Sequence, residues 1–378
     1  MMHIVIVGGG LVGAAAAVAA ARQGYQVTLL ERGAAPDHQP VSQEWDLRIS
    51  SVHQKNVEWL EQLGVWTQVD SAKYFSYAGL SVTTRDRQTV EFAAADVAAP
   101  RLGVMVENDA LVRACWQVLR EFENVTLRAE TEIKTYELES QHLLLNNDET
   151  LLFDLLIGAD GANSAVARAA EIGMRGWDYD MRCLLAIAEV EQPLAAKTWE
   201  VFRAEGPYAL LPLNDHLACL IDYRAEAVWS DASTEQVEQA LHETFAPVLG
   251  AFTLQKHASF PLRRQRALRY FDSRGVVLIG DAAHSIHPLA GQGVNLGFVD
   301  VQTLMSALAA SELRTALKTY ERKQTLVNQQ MMRMMDAIHF GFRSEHLLPR
   351  LAVGLGLQAV AKIKPIKQQI IKAAMGWS

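Results

Sequence analysis

The sequence predicts an α/β fold in which a discontinuous nucleotide-binding domain surrounds an inserted mixed or antiparallel sheet, with a helical C-terminus. Three observations support this prediction. The chain opens as strand, Gly-rich turn, helix and strand; residues 182–260 change to short strand-like runs; and α/β character returns after Gly275 before helix dominates. At 378 residues the chain exceeds the usual size of a single core, so two interleaved domains are expected.

The N-terminal strand covers residues 3–7, an apolar run that is typical of a buried parallel strand. Residues 11–23 are Ala-rich and predict a helix that Gly24 ends, and residues 26–31 predict the second strand. This order of strand, glycine turn, helix and strand is the opening of a Rossmann-like dinucleotide-binding fold.

The glycine turn has the GxGxxG spacing at Gly8, Gly10 and Gly13. The first glycine permits the tight turn, the second lets the backbone approach a pyrophosphate, and the third allows helix and strand to pack closely. The helix that begins at Leu11 and Val12 directs free N–H groups toward phosphates. The turn therefore predicts the phosphate-binding part of a dinucleotide site.

The second strand ends at a carboxylate. Glu31 lies where a side chain accepts hydrogen bonds from ribose hydroxyls, and Arg32 lies beside it. These features predict nucleotide binding and leave FAD and NAD both open.

The remaining elements follow from periodicity and turn residues. Helices are predicted over residues 54–63, 108–122 with Asn108 or Asp109 as cap, and 233–245 with Ser233 as cap. Strands are predicted over residues 80–92, 125–145, 151–157 as one continuous strand, 184–190, 198–203, 208–213, 217–223 and 276–279. The predicted domains are residues 1–72, 103–180 and 270–330 for nucleotide binding, residues 73–102 and 181–269 for the insert, and residues 331–378 for the C-terminal tail.

Two further motifs place ligand-binding groups at the ends of buried strands. Asp160 and Gly161 follow one apolar strand, although an isolated Asp–Gly pair is equally an ordinary turn. Gly280 and Asp281 follow the strand at 276–279, where α/β sheets bind ligands. A loop and the first turn of a helix come next, and their backbone amides can face a ligand ring. They contain Pro288, Gly291, Gln292, Gly293, Val294, Asn295 and Leu296. Together with the glycine turn, they predict that one extended nucleotide is held at both ends.

Composition excludes several other classes of function. The net charge of −8 gives no support to nucleic-acid binding. The three cysteines lack metal-ligand spacing, so we expect reduced thiols in a cytoplasmic protein and no metal site. The N-terminus enters a strand directly without the features of a signal peptide, and no apolar run approaches membrane-spanning length.

The glycine turn, the Asp160–Gly161 pair and the Gly280–Asp281 pair, in this order, resemble the FAD-dependent aromatic hydroxylases of the para-hydroxybenzoate hydroxylase type. The resemblance covers nearly the whole chain. It implies bound FAD, NADH or NADPH as a transient reductant without a second Rossmann domain, and O₂ as co-substrate. It also implies that Arg48 reaches the flavin, that Asp160 and Asp281 bind near the phosphates or ribityl chain, and that residues 288–296 line the isoalloxazine.

Finer matches resemble the hydroxylases of ubiquinone biosynthesis within that family. They are Asp46–Ser50, Gly64–Trp66, Met105–Asn108, Gly206–Pro207 with Leu211–Leu213, and His287–Gly293. The run from Val106 to Asn108, the run from Ile157 to Ser164 and Trp177 favour the branch that adds the last ring hydroxyl to a polyprenyl methoxy-methyl-benzoquinol. One departure is the run Leu220–Tyr223, where relatives often place a tryptophan.

Four alternative functions remain open at this point. They are another ring hydroxylation in the same pathway, flavin-dependent reduction of a prenyl chain, a non-catalytic FAD-binding role in a biosynthetic complex, and halogenation, which the absence of a Trp-x-Trp-x-Ile-Pro motif disfavours. His287 and Pro288 are the candidate catalytic residues, because a base near the substrate hydroxyl would assist electrophilic attack on the ring. His284 and His287 could equally fix the loop by hydrogen bonding.

Two basic segments suggest partners. Arg263, Arg264, Arg266 and Arg269 could contact NAD(P)H phosphates or an anionic membrane, or form a solvated face. Residues 340–378 carry six Lys or Arg and one Glu among leucines and isoleucines, a pattern that suits a membrane surface or an acidic partner as well as a solvated helix pair. We therefore expect a cytoplasmic protein that is either soluble or attached peripherally, to the inner membrane or to a ubiquinone-biosynthesis complex, with a homo-oligomer left open.

Overall fold

The computed structural model describes residues 1–40, 42–285, 293–343 and 363–377, with the side chains of 332 and 334–343 excepted. A six-stranded sheet forms the nucleotide-binding half, in the order β18-β19-β12-β1-β2-β8. Its strands are β1 (His3–Val7), β2 (Gln26–Leu30), β8 (Val125–Arg128), β12 (Leu155–Gly158), β18 (Phe271–Asp272) and β19 (Val276–Leu278). All pairs are parallel except the edge pair of β18 with β19.

The helices on this sheet are α1 (Leu11–Arg22), α2 (Gln54–Gln62), α3 (Asn108–Leu119), α4 (Ala165–Ala169) and α7 (Gly293–Ala310). The alanines of α1 are buried, and the helix packs against α3 and α7 on its two sides. Small side chains allow this close approach, and Ala is also the best helix former. Between the sheet and these helices lies the largest apolar core, with Trp116, Phe298 and Tyr320 fully buried in it.

A mixed eight-stranded sheet forms the second half, in the order β20-β17-β13-β16-β15-β14-β5-β6. Its strands are β5 (Gly79–Thr83), β6 (Thr89–Ala93), β13 (Met174–Val190), β14 (Lys197–Val201), β15 (Tyr208–Pro212), β16 (Leu217–Ala225), β17 (Phe252–Ala267) and β20 (His284–Ser285). The pair of β14 with β5 is parallel, and the other pairs are antiparallel. Helices α5 (Glu226–Trp229) and α6 (Thr234–Leu249) follow β16, and α6 buries Leu241 and Phe245 against the outer face of this sheet.

Two small antiparallel sheets complete the strand structure. One has the order β3-β7-β4, with β3 (Ile49–His53), β4 (Tyr74–Tyr77) and β7 (Gly103–Glu107). The other has the order β11-β10-β9, with β9 (Ile133–Glu137), β10 (His142–Leu145) and β11 (Thr150–Leu152). After α7, the chain continues as α8 (Leu313–Arg343) and α9 (Lys364–Ala374), so the C-terminal region is helical as predicted.

Two details of the predicted elements are wrong. Residues 151–157 form two strands in different sheets, because the chain leaves the edge hairpin before Asp154, whose Oδ2 accepts a hydrogen bond from the His3 amide at 2.6 Å. The residue that caps α3 is Glu107 and not Asn108 or Asp109. Its carboxylate makes a buried ion pair with Lys73 at 2.9 Å and makes no cap hydrogen bond.

The strand β17 was not predicted. Its sequence is polar and charged, and its side chains alternate between partly buried and exposed, which hides the strand from a search for apolar runs. The predicted basic cluster therefore lies largely on a strand. Arg263 pairs with Asp178 at 3.1 Å, and the Arg264 guanidinium stacks 3.5 Å from the centre of the Trp177 ring. The boundaries between the predicted domains stay a prediction.

Candidate active site

The three fingerprint glycines have different surroundings. Gly8 has φ +104°, and a Cβ there would lie 2.4 Å from the Ala159 carbonyl oxygen. A Cβ on Gly13 would lie 2.0 Å from the Gly8 carbonyl oxygen, whereas a Cβ on Gly10 would meet no atom within 4 Å. Gly8 and Gly13 are thus required for backbone packing, and Gly10 faces open space beside the helix N-terminus.

The start of α1 also contacts the third motif. Leu11 and Val12 are partly exposed, and the first N–H groups of a helix have no partner within it. The Val12 side chain packs into a socket of two glycines: a Cβ on Gly280 would lie 3.2 Å from it and a Cβ on Gly297 only 2.5 Å. The structure therefore brings the first and third motifs into direct contact.

The Glu31 carboxylate is fixed at the end of β2. Its Oε2 accepts from the Gly9 amide at 2.7 Å and its Oε1 from the Gly33 amide at 2.8 Å. The Trp116 indole in turn donates to the Gly9 carbonyl at 2.9 Å. Glu31 is only partly buried, so its remaining lone pairs can accept from ribose hydroxyls, and Arg32 is exposed next to it.

Asp160 carries an orphaned buried atom. Its Oδ2 accepts from the amides of Ala165 at 2.6 Å and Val166 at 3.2 Å, and so holds the start of α4. Its Oδ1 is buried and has no hydrogen-bond partner among the described residues. Gly161 beside it has φ +80° and open space where a Cβ would be. Because buried carboxylate oxygens normally have a donor, this atom fits a hydroxyl of a bound cofactor.

Asp300 organises the third motif from α7. Its Oδ2 accepts from the Gly280 amide at 2.8 Å and lies 2.6 Å from Nε2 of His284. Burial lowers the pKa of His284, but Asp300 outweighs that effect and the pKa is raised above 6.5. His284 is buried, so the structure fits a role in holding the loop. Sequence reasoning missed Asp300, although it is the single charged residue of α7.

Asp281 is exposed, in contrast to its neighbours Gly280 and Ala282. Loss of surrounding water raises the pKa of its carboxyl; His284 opposes the rise and Asp300 adds to it. A carboxyl in a concave part of the surface is expected to be accessible to solvent while protein atoms replace much of the water around it. Asp281 is thus accessible to a ligand at the carboxyl end of β19.

Asn295 ties the start of α7 to the β3–α2 junction. Its Oδ1 accepts from the His53 amide and from Asn56 Nδ2, both at 3.1 Å, and its Nδ2 donates to the Ser51 carbonyl at 2.7 Å. The side chain of Asn295 therefore fixes the helix. Gly293 has open space where a Cβ would be, and Val294 is partly exposed, so the backbone here remains able to face a flavin.

Other predicted residues lie apart or outside the described residues. Arg48 contacts Asp46, and 74% of its side chain is exposed, so its contact with the flavin stays a prediction. Leu296 is buried and packs against Met331 of α8. His287, Pro288, Gly291 and Gln292 lie outside the described residues. Tyr223 is buried on the inner face of the eight-stranded sheet, where sequence reasoning also missed Glu200.

These observations test whether FAD fits. The open space at Gly10, the fixed carboxylate of Glu31 and the orphaned oxygen of Asp160 lie along the carboxyl ends of β1, β2 and β12. Gly280 and Asp281 follow β19, which pairs with β12 in the same sheet. The fold and the described residues therefore fit an extended dinucleotide along this edge of the sheet, and the predicted binding roles stay a prediction.

Comparison with known proteins gives the family. Residues 1–335 match the family model described as FAD binding domain. The chain is 37% identical to 3-demethoxyubiquinol 3-hydroxylase of Escherichia coli (strain K12), over 99% of this chain and 98% of that protein. It is 30% identical to ubiquinone hydroxylase UbiL of Rhodospirillum rubrum, over 99% of this chain and 89% of that protein. The crystal structure of p-nitrophenol 4-monooxygenase PnpA from Pseudomonas putida DLL-E4 matches with a TM-score of 0.81 at 16% identity, over 99% of both chains, which supports the fold.

The chain belongs to the FAD-binding-domain family, as an FAD-dependent monooxygenase. FAD is its cofactor, with NAD(P)H as reductant and O₂ as co-substrate, as the resemblance implied. In the part of the chain that the structure describes, no helix combines the length and apolar character needed to cross a membrane.

Proposed function

We propose that this enzyme hydroxylates the ring of a polyprenylated benzoquinol in ubiquinone biosynthesis, with 3-demethoxyubiquinol as substrate. The near full-length similarity to the Escherichia coli 3-demethoxyubiquinol 3-hydroxylase supports this choice. Similarity to ubiquinone biosynthesis monooxygenase COQ6 of Drosophila melanogaster, at 30% identity over 99% of this chain and 89% of that protein, supports the pathway more broadly.

One structural observation carries the proposal: an apolar sheet face that remains partly open next to the flavin elements. Leu185 and Ile221 lie on the two central strands β13 and β16 of the eight-stranded sheet, yet both are only partly buried. Met331 packs against this face and also against Leu296 at the start of α7. A partly open apolar surface at this place is suited to a ring with a prenyl chain.

The residues of the chain have separable tasks in this reaction. FAD supplies the oxygen chemistry once NAD(P)H has reduced it. Gly10 and the N-terminus of α1 bind the pyrophosphate, Glu31 binds the ribose, and Asp160 and Asp281 bind along the remaining length. The inner sheet face excludes water and orients the substrate ring.

The direct test uses purified holoenzyme, a quinol with a two-isoprene chain and ¹⁸O₂. We expect NAD(P)H oxidation to rise when the quinol is added, and the product to gain one labelled oxygen. A product with an unchanged oxygen count and a reduced chain would establish a prenyl reductase. Tightly bound FAD without turnover would favour the non-catalytic role.

The ring position has its own test. In a strain that lacks this protein, we expect a quinone intermediate that is short of one ring hydroxyl and its methyl group. Accumulation of an earlier intermediate, identified by mass spectrometry, would assign the enzyme to another hydroxylation in the pathway.

The proposal includes peripheral attachment to the inner membrane through α9. Ile366 and Ile370 are exposed on α9, Ile363 is exposed just before it, and Lys364 and Lys372 are exposed at its two ends. Exposed apolar side chains together with lysines are features of an interfacial helix. We expect co-sedimentation with vesicles that contain anionic lipid, weakened by Ile366→Gln with Ile370→Gln. Equal sedimentation of wild type and variant, or none for either, would remove the membrane role and leave a protein complex as the partner.

A further inference from the structure

One carboxyl group lies in an otherwise apolar row of side chains on the inner face of the eight-stranded sheet. The register across the sheet places one residue of each successive strand in one row, in the order Val90, Val82, Glu200, Ala209, Ile221, Leu185 and Ala258. Side chains of one row point to the same face of a sheet. Glu200 is the one ionisable residue of this row and lies in the middle of β14.

Glu200 lies where the face is open. It is partly exposed, as are its row neighbours Val82 and Ile221, although β14 has a strand on each side. Partial exposure of these mid-sheet side chains means that the elements packed on this face do not cover it completely. This is the face that the proposed function assigns to the substrate ring, so the inference rests on that function.

The surroundings of Glu200 do not neutralise its charge. Within the described residues, the carboxylate of Glu200 has no hydrogen-bond or ion-pair partner. Burial raises the pKa of this carboxyl to about 7. Among the described residues, the titratable groups on the same face include Tyr223, Cys183 and Cys219, which are buried acids with raised pKa values. Lys256 of β17 lies one row away, opposite Ile187, and its Nζ is 3.6 Å from a Glu44 carboxylate oxygen. Met331 of α8, which packs on this face, carries no charge.

A buried carboxyl without a partner is costly unless a ligand supplies one. The ligand chemistry that fits is a neutral hydroxyl donor inside an otherwise apolar ring. We propose that Glu200 accepts the hydrogen bond of a ring hydroxyl of the substrate and takes its proton during hydroxylation.

The proposed step is a proton transfer from the substrate to Glu200. The O–H bond of the ring hydroxyl breaks, its proton moves to a Glu200 carboxylate oxygen, and the electron pair stays on the ring oxygen. The ring then carries more electron density at the carbon that is attacked, which favours electrophilic hydroxylation. After the product forms, the carboxylic acid returns the proton to solvent or to the product. General-base assistance of this kind contributes about 100-fold or more in rate.

The test compares Glu200→Gln with Glu91→Gln. Glutamine keeps the shape of Glu200 and cannot take a proton. Glu91 is an exposed carboxylate on β6 that pairs with Lys197 of β14 at 2.7 Å, so its variant controls for removal of a charge from the same sheet. FAD content and thermal unfolding of both variants establish that they are folded holoenzymes.

Hydroxylation is measured as product per NAD(P)H consumed, from pH 6 to pH 9 in the assay. For the wild type and Glu91→Gln, we expect the hydroxylation rate to rise as the pH passes through about 7, where Glu200 ionises. For Glu200→Gln, we expect a rate lower by about 100-fold, without this rise. An unchanged rate and pH profile in Glu200→Gln would overturn the proposal.

A binding measurement separates this inference from the proposed function. The probes are the two-isoprene quinol and its bis-methyl ether, titrated anaerobically against oxidised holoenzyme and followed by flavin fluorescence. We expect the wild type to prefer the quinol by roughly 10- to 100-fold, and Glu200→Gln to lose most of that preference. If the wild type prefers the quinol to its ether but does not hydroxylate it, Glu200 keeps its role in binding and the hydroxylase function is rejected. If the quinol is hydroxylated but the wild type and Glu200→Gln show the same preference, the hydroxylase function stands and the role of Glu200 is rejected.

Discussion

Glu200 of the substrate half differs from three carboxylates of the nucleotide-binding half in how its charge is held. In the nucleotide-binding half, Glu31, Asp160 and Asp300 each accept hydrogen bonds from backbone amides. In the substrate half, Glu200 lies in mid-strand and has no such donor among the described residues. A carboxylate held by amides is part of the folded framework, whereas one without donors is kept at a cost in stability, which fits a group reserved for a ligand.

The largest expected effect is the loss of a held carboxylate. Asp300→Ala removes the partner of both His284 and the Gly280 amide. Because it leaves two buried donors unpaired, we expect the free energy of unfolding to fall by about 3–5 kcal/mol in urea titrations.

The pH dependence of the same pair gives a second readout. The pKa of His284 is raised in the folded protein, so its contribution to stability is present at low pH and is lost as the pH rises above 6.5 through the folded value. In Asp300→Ala, the stability should no longer fall as the pH rises through this range. A variant as stable as the wild type would show that the pair is not part of the framework.

The opposite sign is expected at Glu200. Its folded pKa of about 7 exceeds the ordinary value of 4.5, so folding of the wild type becomes less favourable as the pH rises between these values. Glu200→Gln should therefore be more stable than the wild type at pH 8, by up to about 3 kcal/mol from the size of the shift, and equally stable at pH 4. Urea titrations at both values check this. Destabilisation at pH 8 would mean that Glu200 is held like the carboxylates of the other half.

The glycine turn tests how closely the nucleotide half is packed. Gly13→Ala puts a methyl group against the Gly8 carbonyl, so we expect a loss of roughly 1–3 kcal/mol in stability together with loss of FAD. Gly10→Ala has room for its methyl group, so its thermal unfolding without FAD should match the wild type while its FAD affinity falls. Equal behaviour of the two variants would reject the separate roles of these glycines.

The two halves also differ in how much of them could be predicted from the sequence. The glycine turn, Glu31 and the strand ends were predictable because a dinucleotide site requires particular residues at fixed spacing in a continuous segment. Glu200 was not, because its neighbours Val82 and Ile221 come from distant segments and meet it only through strand register. The strand β17 was missed because ladder hydrogen bonds, and not apolar side chains, hold its polar residues in the sheet.

The smallest effect is expected where α9 joins the two halves. Lys367 pairs with Asp96 at 2.7 Å after β6, while the Met375 carbonyl accepts from the Lys55 amide of α2 at 3.3 Å. Because the ion pair is partly exposed, Lys367→Ala should cost less than about 1 kcal/mol and leave FAD affinity unchanged, as should the control Lys364→Ala. Thermal unfolding and FAD titration measure both. A loss of FAD in Lys367→Ala alone would mean that docking of α9 on the substrate half is transmitted to the flavin site, and the two halves would then not be independent.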